Sequence, residues 1–441
     1  MKLYNFQRES VKWLLGRKRA ILGSEMGTGK TAVAIRAARY LREKGHAKLI
    51  YVVCPASLKL NWVTEITQWE ERLSCYIKRV DKLKDSHPVK ILLTDSAYYE
   101  IFSYEIFSKI CNDLPTPDVL ICDESHKLKN KTAKRTKNIL TFAEKVKHVY
   151  LLTGTPMPNS IIDAWTTFNF CSYGALGSYW HFANTYCYID KNRFGMKAYG
   201  AKNMDKLKSL ASAFLRRDTV AEHLQELPEE QIIKIDLEHT KESKKYISSD
   251  KETSVINKFI DGESLDADEK EIAEHLMSRR RELGVIKVKQ AVEFITNLLE
   301  QGEQVVVFAH HRDVVNGIYN GLADYKVGKI FGDTPAAVRH DLVINFQNEV
   351  FPWAEKLQCL ILGIQAGGVG LTLTAAKVSV FVEAPWVPAD FDQAKARIRR
   401  IGQKNFCTHY VLNYPLTLDE TVLSAMQRKG KDINKFFEAR V

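Results

Sequence analysis

Paired cysteines are missing from this sequence. Its eight cysteines among 441 residues (Cys54, Cys75, Cys111, Cys122, Cys171, Cys187, Cys359 and Cys407) stand far apart, with no C-x-x-C pair and no Cys/His cluster at ligand spacing. That spacing argues against a zinc site. Several lie inside apolar runs such as YVVCP and LICDE, where a buried free thiol is expected, as suits a reducing compartment. Long apolar runs are also missing: none reaches the length that spans a bilayer, and MKLYNFQRES has no apolar signal-peptide core. The expectation is a cytoplasmic protein with no secretion signal and no membrane partner. There is no repeat of 20 to 50 residues, no low-complexity tail and no Pro-rich linker. Acidic excess is lacking too: 64 basic against 53 acidic residues leave +11 and a pI near 9.0. Such a surplus draws a protein toward phosphate backbones, although many proteins with no nucleic-acid partner are basic.

What is present is an ordinary folded composition, 45% apolar and 27% charged, in a chain long enough for two or three domains. Short apolar runs alternate with amphipathic stretches, as parallel strands and crossover helices do. Strand candidates are RAILGS (19–24), KLIYVVCP (48–55), VKILLTD (89–95), DVLICDE (118–124) and HVYLLTG (148–154). Between them TAVAIRAARYLREKG (31–45) and LKLNWVTEITQWE (58–70) read as helices. The pattern specifies an α/β fold, an open sheet wound by helices on both faces, with ligand loops at the carboxyl ends of the strands. It starts again near residue 284: QAVEFITNLLEQG and VVNGIYNGLADY read as helices, and EQVVVFAHH, KLQCLILGI and KVSVFVEAP as strands. The stretch between, roughly 165–283, is helical and charged. The expected domains are residues 1–230 with a helical insertion at about 165–215, residues 231–283 as a helical insertion or linker, and residues 284–441.

GSEMGTGKT (23–31) follows the first strand candidate and opens a helical pattern. Gly27 and Gly29 let the backbone around Thr28 curl its N–H groups round a triphosphate. Lys30 then reaches the β and γ phosphates, and the Thr31 hydroxyl can bind Mg²⁺. The strict formula for such a loop asks for glycine at 24, where this chain has Ser24. A Gly-rich surface turn is the bland alternative, but the strand before and the helix after count against it. A nucleotide site also needs one carboxylate for Mg²⁺ and one to orient water. DVLICDESH offers Asp123 and Glu124 at the end of an apolar strand.

GSEMGTGKT, DESH and LLTGTP in this order resemble superfamily-two helicases. ILGIQAGGVGLTLTAAKVSVFVEAPWVPADFDQAKARIRRIGQ (361–403) resembles the Swi/Snf class of double-stranded DNA translocases. CPASLKLNW, DESHKLKN, FLRRDTV, RRRELGVIKV and VVVFAHHRDVV resemble its fork-remodelling, strand-annealing branch. The resemblance covers almost the whole chain. It implies two RecA-like lobes, each a parallel sheet wound by helices and carrying helical insertions, with ATP and Mg²⁺ as cofactors.

The same resemblance supplies roles that composition does not. Gln7 matches the glutamine that reads adenine, and Gln393 is expected at the nucleotide or the opposite lobe. Arg397 and Arg400 match arginine fingers for the γ-phosphate. Three apart on a helix, they would share a face, and guanidinium groups suit a loose phosphoryl transition state; the alternative is a solvated basic patch with Lys395 and Arg399. His126, Thr153, Gly154 and Thr155 match the segments that couple hydrolysis to the DNA groove. The expected DNA contacts are Ser57, Lys59, Asn61, Trp62, Asp95, Ser96, His311, Arg312, Gly332, Asp333, Thr334, Gly370 and Trp386, held on loops that grip phosphates without reading bases. Trp62 reads equally as a core anchor. Two departures from the family pattern stand out: Ala396 before the first finger and Ser24 in the phosphate loop each replace a usual acidic residue.

The implied function is ATP-driven translocation on duplex, forked or four-way-junction DNA, with fork regression or branch migration as the task and no obligatory protein partner. The lack of appended recruitment modules suggests a bacterial, archaeal or phage protein. A strand-separating DNA or RNA helicase is the first alternative, although no cluster of aromatics for stacking single-stranded bases is visible. A binding scaffold, or the motor subunit of a nuclease complex, is the second; the intact Lys30, Asp123, Glu124 and Arg400 count against a dead ATPase.

Overall fold

The structure is a computed structural model that describes residues 2–70, 76–78, 88–94, 97–158, 160–192, 195–223, 227–261, 265–347, 356–364 and 371–427. The described residues fall into two compact units, one drawn from Met1–Tyr188 and Gly200–Leu224, the other from Ile189–Tyr199 and Gln225–Phe437. Asp95, Ser96 and Gly370, and the chain beyond 427, lie outside the described residues.

In the first unit helix α1 (Asn5–Leu15) precedes β1 (Arg19–Leu22), and α2 (Lys30–Glu43), β2 (Leu49–Cys54) and α3 (Lys59–Trp69) follow. Strands β3 (Tyr76–Lys78), β4 (Val89–Thr94) and β5 (Ala97–Ser103) lead through α4 (Tyr104–Ile110) to β6 (Val119–Asp123). Then come α5 (Lys134–Ala143), β7 (His148–Leu152), α6 (Trp165–Cys171) and α7 (Tyr179–Tyr186). After a hairpin of β8 (Tyr188–Asn192) and β9 (Gly195–Tyr199), which groups with the second unit from Ile189 on, the first unit continues with α8 (Met204–Ala211), β10 (Leu215–Arg216) and the short α9 (Val220–His223).

The large sheet has the order β10-β1-β7-β6-β2-β5-β4-β3. Its pairings are parallel except β3 with β4 and β4 with β5. Each of β2, β6 and β7 is buried almost throughout, as strands covered by helices on both faces must be. This order sets β7 between β1 and β6, so the segments following all three leave the sheet side by side at its carboxyl edge.

The second unit is built on β11 (Glu230–Asp236), α10 (Asp250–Asp261), α11 (Ala267–Glu300), β12 (Val305–Ala309), α12 (Arg312–Gly321) and β13 (Val327–Ile330). After these come α13 (Ala336–Gln347), β14 (Cys359–Gly363), β15 (Val378–Phe381), α14 (Pro388–Lys395) and β16 (Cys407–Asn413). Its six strands are all parallel, in the order β11-β16-β15-β12-β14-β13. Successive side chains of β12 divide between two cores: Val306 and Phe308 face one, and Val305, Val307 and Ala309 the other, the alternation a strand imposes.

Two expected boundaries move. Residues 231–236, expected in a helical insertion, form β11 on the edge of the second sheet. The boundary expected at 284 falls inside α11, which runs unbroken for 34 residues from a capping box in which Asp266 and Glu269 satisfy each other's backbone. Among the described residues no helix is long and apolar enough to cross a membrane.

Candidate nucleotide site and nucleic-acid face

The loop after β1 enters α2 through Gly29, whose φ of +79° lies in the left-handed region, as does that of Gly27 at +80°. Glycine adopts this conformation without the penalty a Cβ brings. A Cβ at Gly29 would also lie 2.5 Å from Gln7 Nε2 and would displace that side chain. Lys30 is the first residue of α2, and its ammonium donates to the carbonyls of Ser24 at 2.8 Å and Glu25 at 2.9 Å. Loop amides and a helix N-terminus around that ammonium make an anion cradle. Gln7 is buried on α1, donates to Thr28 O at 2.8 Å and accepts from Tyr4 N at 3.0 Å, so the glutamine expected to read adenine is fastened to the phosphate loop.

Asp123 ends β6 and Glu124 follows in a left-handed conformation (φ 51°, ψ 47°), a strained backbone of the kind that concentrates at functional sites. Burial pushes the Asp123 carboxyl up to about 6, helped by the charge of Glu124; the hydrogen bond from Trp62 and the charge of Lys30 oppose the rise. A buried carboxylate held this way favours a cation beside it. Mg²⁺ takes oxygen donors from one or two carboxylates plus substrate phosphates, so the residues present fit that ion. His126 Nδ1 lies 3.3 Å from Glu124 Oε2 and 3.2 Å from Thr153 Oγ1, and Thr153 Oγ1 accepts from Thr155 N at 3.1 Å. Gly154 lies against the same loop, a Cβ there falling 2.6 Å from Met26 and 3.5 Å from Lys30 Nζ. The first lobe's expected ATP and coupling residues therefore meet at the carboxyl ends of β1, β7 and β6.

Trp62, read as either a DNA contact or a core anchor, is the anchor. It is 0% exposed, and its indole N–H donates to Asp123 Oδ2 at 2.9 Å. Lys59, expected on DNA, is buried on the same face of α3, with Trp62 and Ile66. Ser57 and Asn61 stay partly exposed.

In the second unit His311, Arg312, Gly332, Asp333 and Thr334 gather at the carboxyl ends of β12 and β13. Arg312 pairs with Asp333 at 3.0 Å, both exposed, and Thr334 closes a turn with Phe331. Trp386 lies partly buried beneath the Arg280 guanidinium, 4.4 Å from its ring centre. Glu383, missed in the sequence, holds this rim in place. Its carboxylate accepts from the amides of His310 and His311 at 2.7 and 2.9 Å and lies 2.6 Å from His311 Nδ1.

Arg397 and Arg400 depart from the expected helix. Helix α14 ends at Lys395 and both arginines lie in the turns that follow, so helical spacing does not place them on one face. Arg400 donates to Leu371 O at 3.1 Å, and the carbonyl of Arg397 accepts from Leu373 N at 2.9 Å. Lys395 and Arg399 are engaged with Glu230 and Pro228. Gln393 is buried on α14.

The family model described as SNF2-related domain matches residues 6–292, and that of the helicase conserved C-terminal domain matches residues 287–402. The chain is 28% identical over 439 residues to the SWI/SNF-related matrix-associated actin-dependent regulator of chromatin subfamily A-like protein 1 of Xenopus laevis, covering 97% of this chain and 43% of that one. It is 27% identical over 450 residues to the DNA annealing helicase and endonuclease ZRANB3 of Bos taurus, covering 98% and 40%. The chain thus spans about two fifths of the length of these relatives. The Sulfolobus solfataricus SWI2/SNF2 ATPase core in complex with dsDNA aligns over all of this chain and 95% of that one at 22% identity, with a TM-score of 0.45.

Proposed function

Because this chain belongs to the SNF2-related family, we propose that it hydrolyses ATP in its first unit and uses the cycle to move along duplex DNA, remodelling forks and four-way junctions. The observation that carries this reading is the meeting of Lys30, the Asp123–Glu124 pair and the His126–Thr153 contact on three adjacent strand ends. Loop amides and Lys30 hold the phosphates. Thr31 and Asp123 supply oxygens for Mg²⁺, which when bound neutralises phosphate charge. Glu124, set by its backbone turn and by His126, orients the attacking water, and Thr153 passes the state of that site toward the nucleic-acid face. Arg397 and Arg400 are the proposed guanidinium donors to the γ-phosphate. Ser57 and Asn61 in the first unit, and His311, Arg312, Gly332, Asp333 and Thr334 in the second, are the proposed backbone contacts. Names of relatives that include DNA annealing helicase support DNA as substrate over RNA.

The test is steady-state ATP hydrolysis with no nucleic acid, linear duplex, single strand, RNA, forked DNA and a four-way junction, with Glu124→Gln as control. Stimulation of tenfold or more by duplex or branched DNA, abolished in Glu124→Gln, is expected. Stimulation by single strands or RNA alone would replace this reading with an unwinding helicase.

A further inference from the structure

One buried carboxylate outside the expected site is tied both to the phosphate loop and to the helix that carries Gln7. Asp218, in FLRRDTV, is 3% exposed. Its Oδ2 accepts from Ser10 Oγ at 2.8 Å and Ser24 Oγ at 2.9 Å. Its Oδ1 is 2.9 Å from Arg216 Nη2 and 3.5 Å from His223 Nε2. The Ser24 hydroxyl in turn accepts from the Asp218 amide at 3.1 Å, so donor and acceptor are both fixed and the rotor has one setting. The backbone repeats the stitch, with Gly23 N donating to Arg216 O at 2.8 Å and Glu25 N to Asp218 O at 2.9 Å. Beside it Arg217 donates to Gly23 O, and Glu25 accepts from Val220 N.

Ser10 lies one turn beyond Gln7 on α1, and His223 stacks on Phe6 of the same helix at 4.8 Å. The carboxylate is therefore the common acceptor of a hydroxyl on the helix that carries Gln7 and a hydroxyl on the loop that carries the phosphate-binding amides. The carbonyls of Ser24 and Glu25, which hold Lys30, belong to the same stitched segment.

We propose that Asp218 is a positioning residue that locks the base-reading helix and the phosphate loop into one frame, so that adenine recognition and triphosphate binding act together. The inference rests on the reading of the first unit as an ATP site. It explains the use of Ser24 where the loop formula has glycine: the hydroxyl is the loop's half of the tie. Hydrogen bonds to a buried charge are stronger than neutral ones, and losing their acceptor frees two elements at once.

The experiment measures binding of methylanthraniloyl-ATP and methylanthraniloyl-GTP to the whole chain and to Asp218→Ala, Asp218→Asn, Ser24→Ala and Ser10→Ala, with thermal unfolding alongside. Asp218→Ala is expected to weaken ATP roughly tenfold while GTP, which gains nothing from Gln7, changes about threefold or less, so base preference collapses. Asp218→Asn, which keeps one acceptor for the serines, should recover part of the preference. Each serine variant removes one hydroxyl donor to the Asp218 carboxylate, keeps the fold if Asp218→Ala does not, and should cost about threefold in ATP alone. Unchanged ATP affinity in all four, or equal losses for ATP and GTP that track the melting temperature, would overturn the inference while leaving the ATP site standing. A wild-type chain that binds neither nucleotide would overturn both.

Discussion

At the residue scale Trp62 shows how a side chain's neighbours decide its role. An indole in CPASLKLNW gives no local sign of whether it faces DNA or core. The helical spacing of Lys59, Trp62 and Ile66 does carry that sign, because the three share the buried face of α3. Its N–H steadies the ionised form of Asp123, whose carboxyl burial already pushes up to about 6. Trp62→Phe should therefore make Asp123 harder to ionise and raise the Mg²⁺ concentration needed for half-maximal ATP hydrolysis by roughly tenfold, the worth of one hydrogen bond to a buried charge. The DNA concentration for half-maximal stimulation should stay the same. A Mg²⁺ titration and a DNA titration of one variant separate the roles: a shift in the DNA midpoint alone would return Trp62 to the DNA face. Lys30, Asp123 and Glu124 were legible because the chemistry fixes their residue types and the strand before each is apolar. Asp218 and Glu383 were not, because their partners are distant in sequence and are brought close only by the sheet order.

Elements differ in how plainly they announce themselves, and burial is the reason. The central strands β1, β2, β6, β7, β12, β14 and β15 read as apolar runs since helices cover both faces. Edge strand β11, EQIIKID, has no buried residue, with Gln231, Ile232, Lys234 and Asp236 exposed, and so reads as charged and helical. Strand β5, AYYEIFS, carries Glu100 and was passed over although it pairs parallel to β2. Helix α11 crosses the expected boundary because its role is mechanical. Lys287, 0% exposed, reaches across to donate to Val382 O at 2.8 Å and Leu412 O at 3.1 Å, with Asp419 at 2.6 Å. One ammonium thus fastens α11 to the carboxyl ends of β15 and β16. Removing one partner of a buried ion pair costs about 3–5 kcal/mol, whereas replacing both with apolar groups is often neutral. Lys287→Met should reduce hydrogen-exchange protection across β15 and β16 by that amount, and Lys287→Met with Asp419→Leu should regain most of it. If the double variant were no better than the single one, the carbonyl bonds rather than the ion pair would be the fastening.

Across the whole molecule the two units repeat one architecture with opposite acid responses. In the second unit burial raises Glu230 and Glu383, but hydrogen bonds and charges from His409, Lys395 and Arg399 on the first, and from His311 and Arg280 on the second, outweigh it. Both titrate at about 2 against an ordinary 4.5. Their folded values are depressed, so the stability they contribute is present above about 4.5 and lost as pH falls toward about 2. In the first unit burial raises Glu70 and Glu100 against the pull of Arg42 and Arg39 on one and Lys90 on the other. Those groups bind protons more tightly when folded, so their contribution is fully present in acid and lost as pH rises. Glu43, lowered by Arg39, works the other way there, but its pair is exposed and weak. Acidification from pH 5 to 2.5 should therefore open the second unit first. Hydrogen exchange at stepped pH should show β15 and β16 losing protection while β2 and β6 keep theirs, and Glu383→Gln or Glu230→Gln should flatten the fall. Loss of β2 and β6 first, or of both sheets together, would mean that these four carboxylates do not govern acid stability.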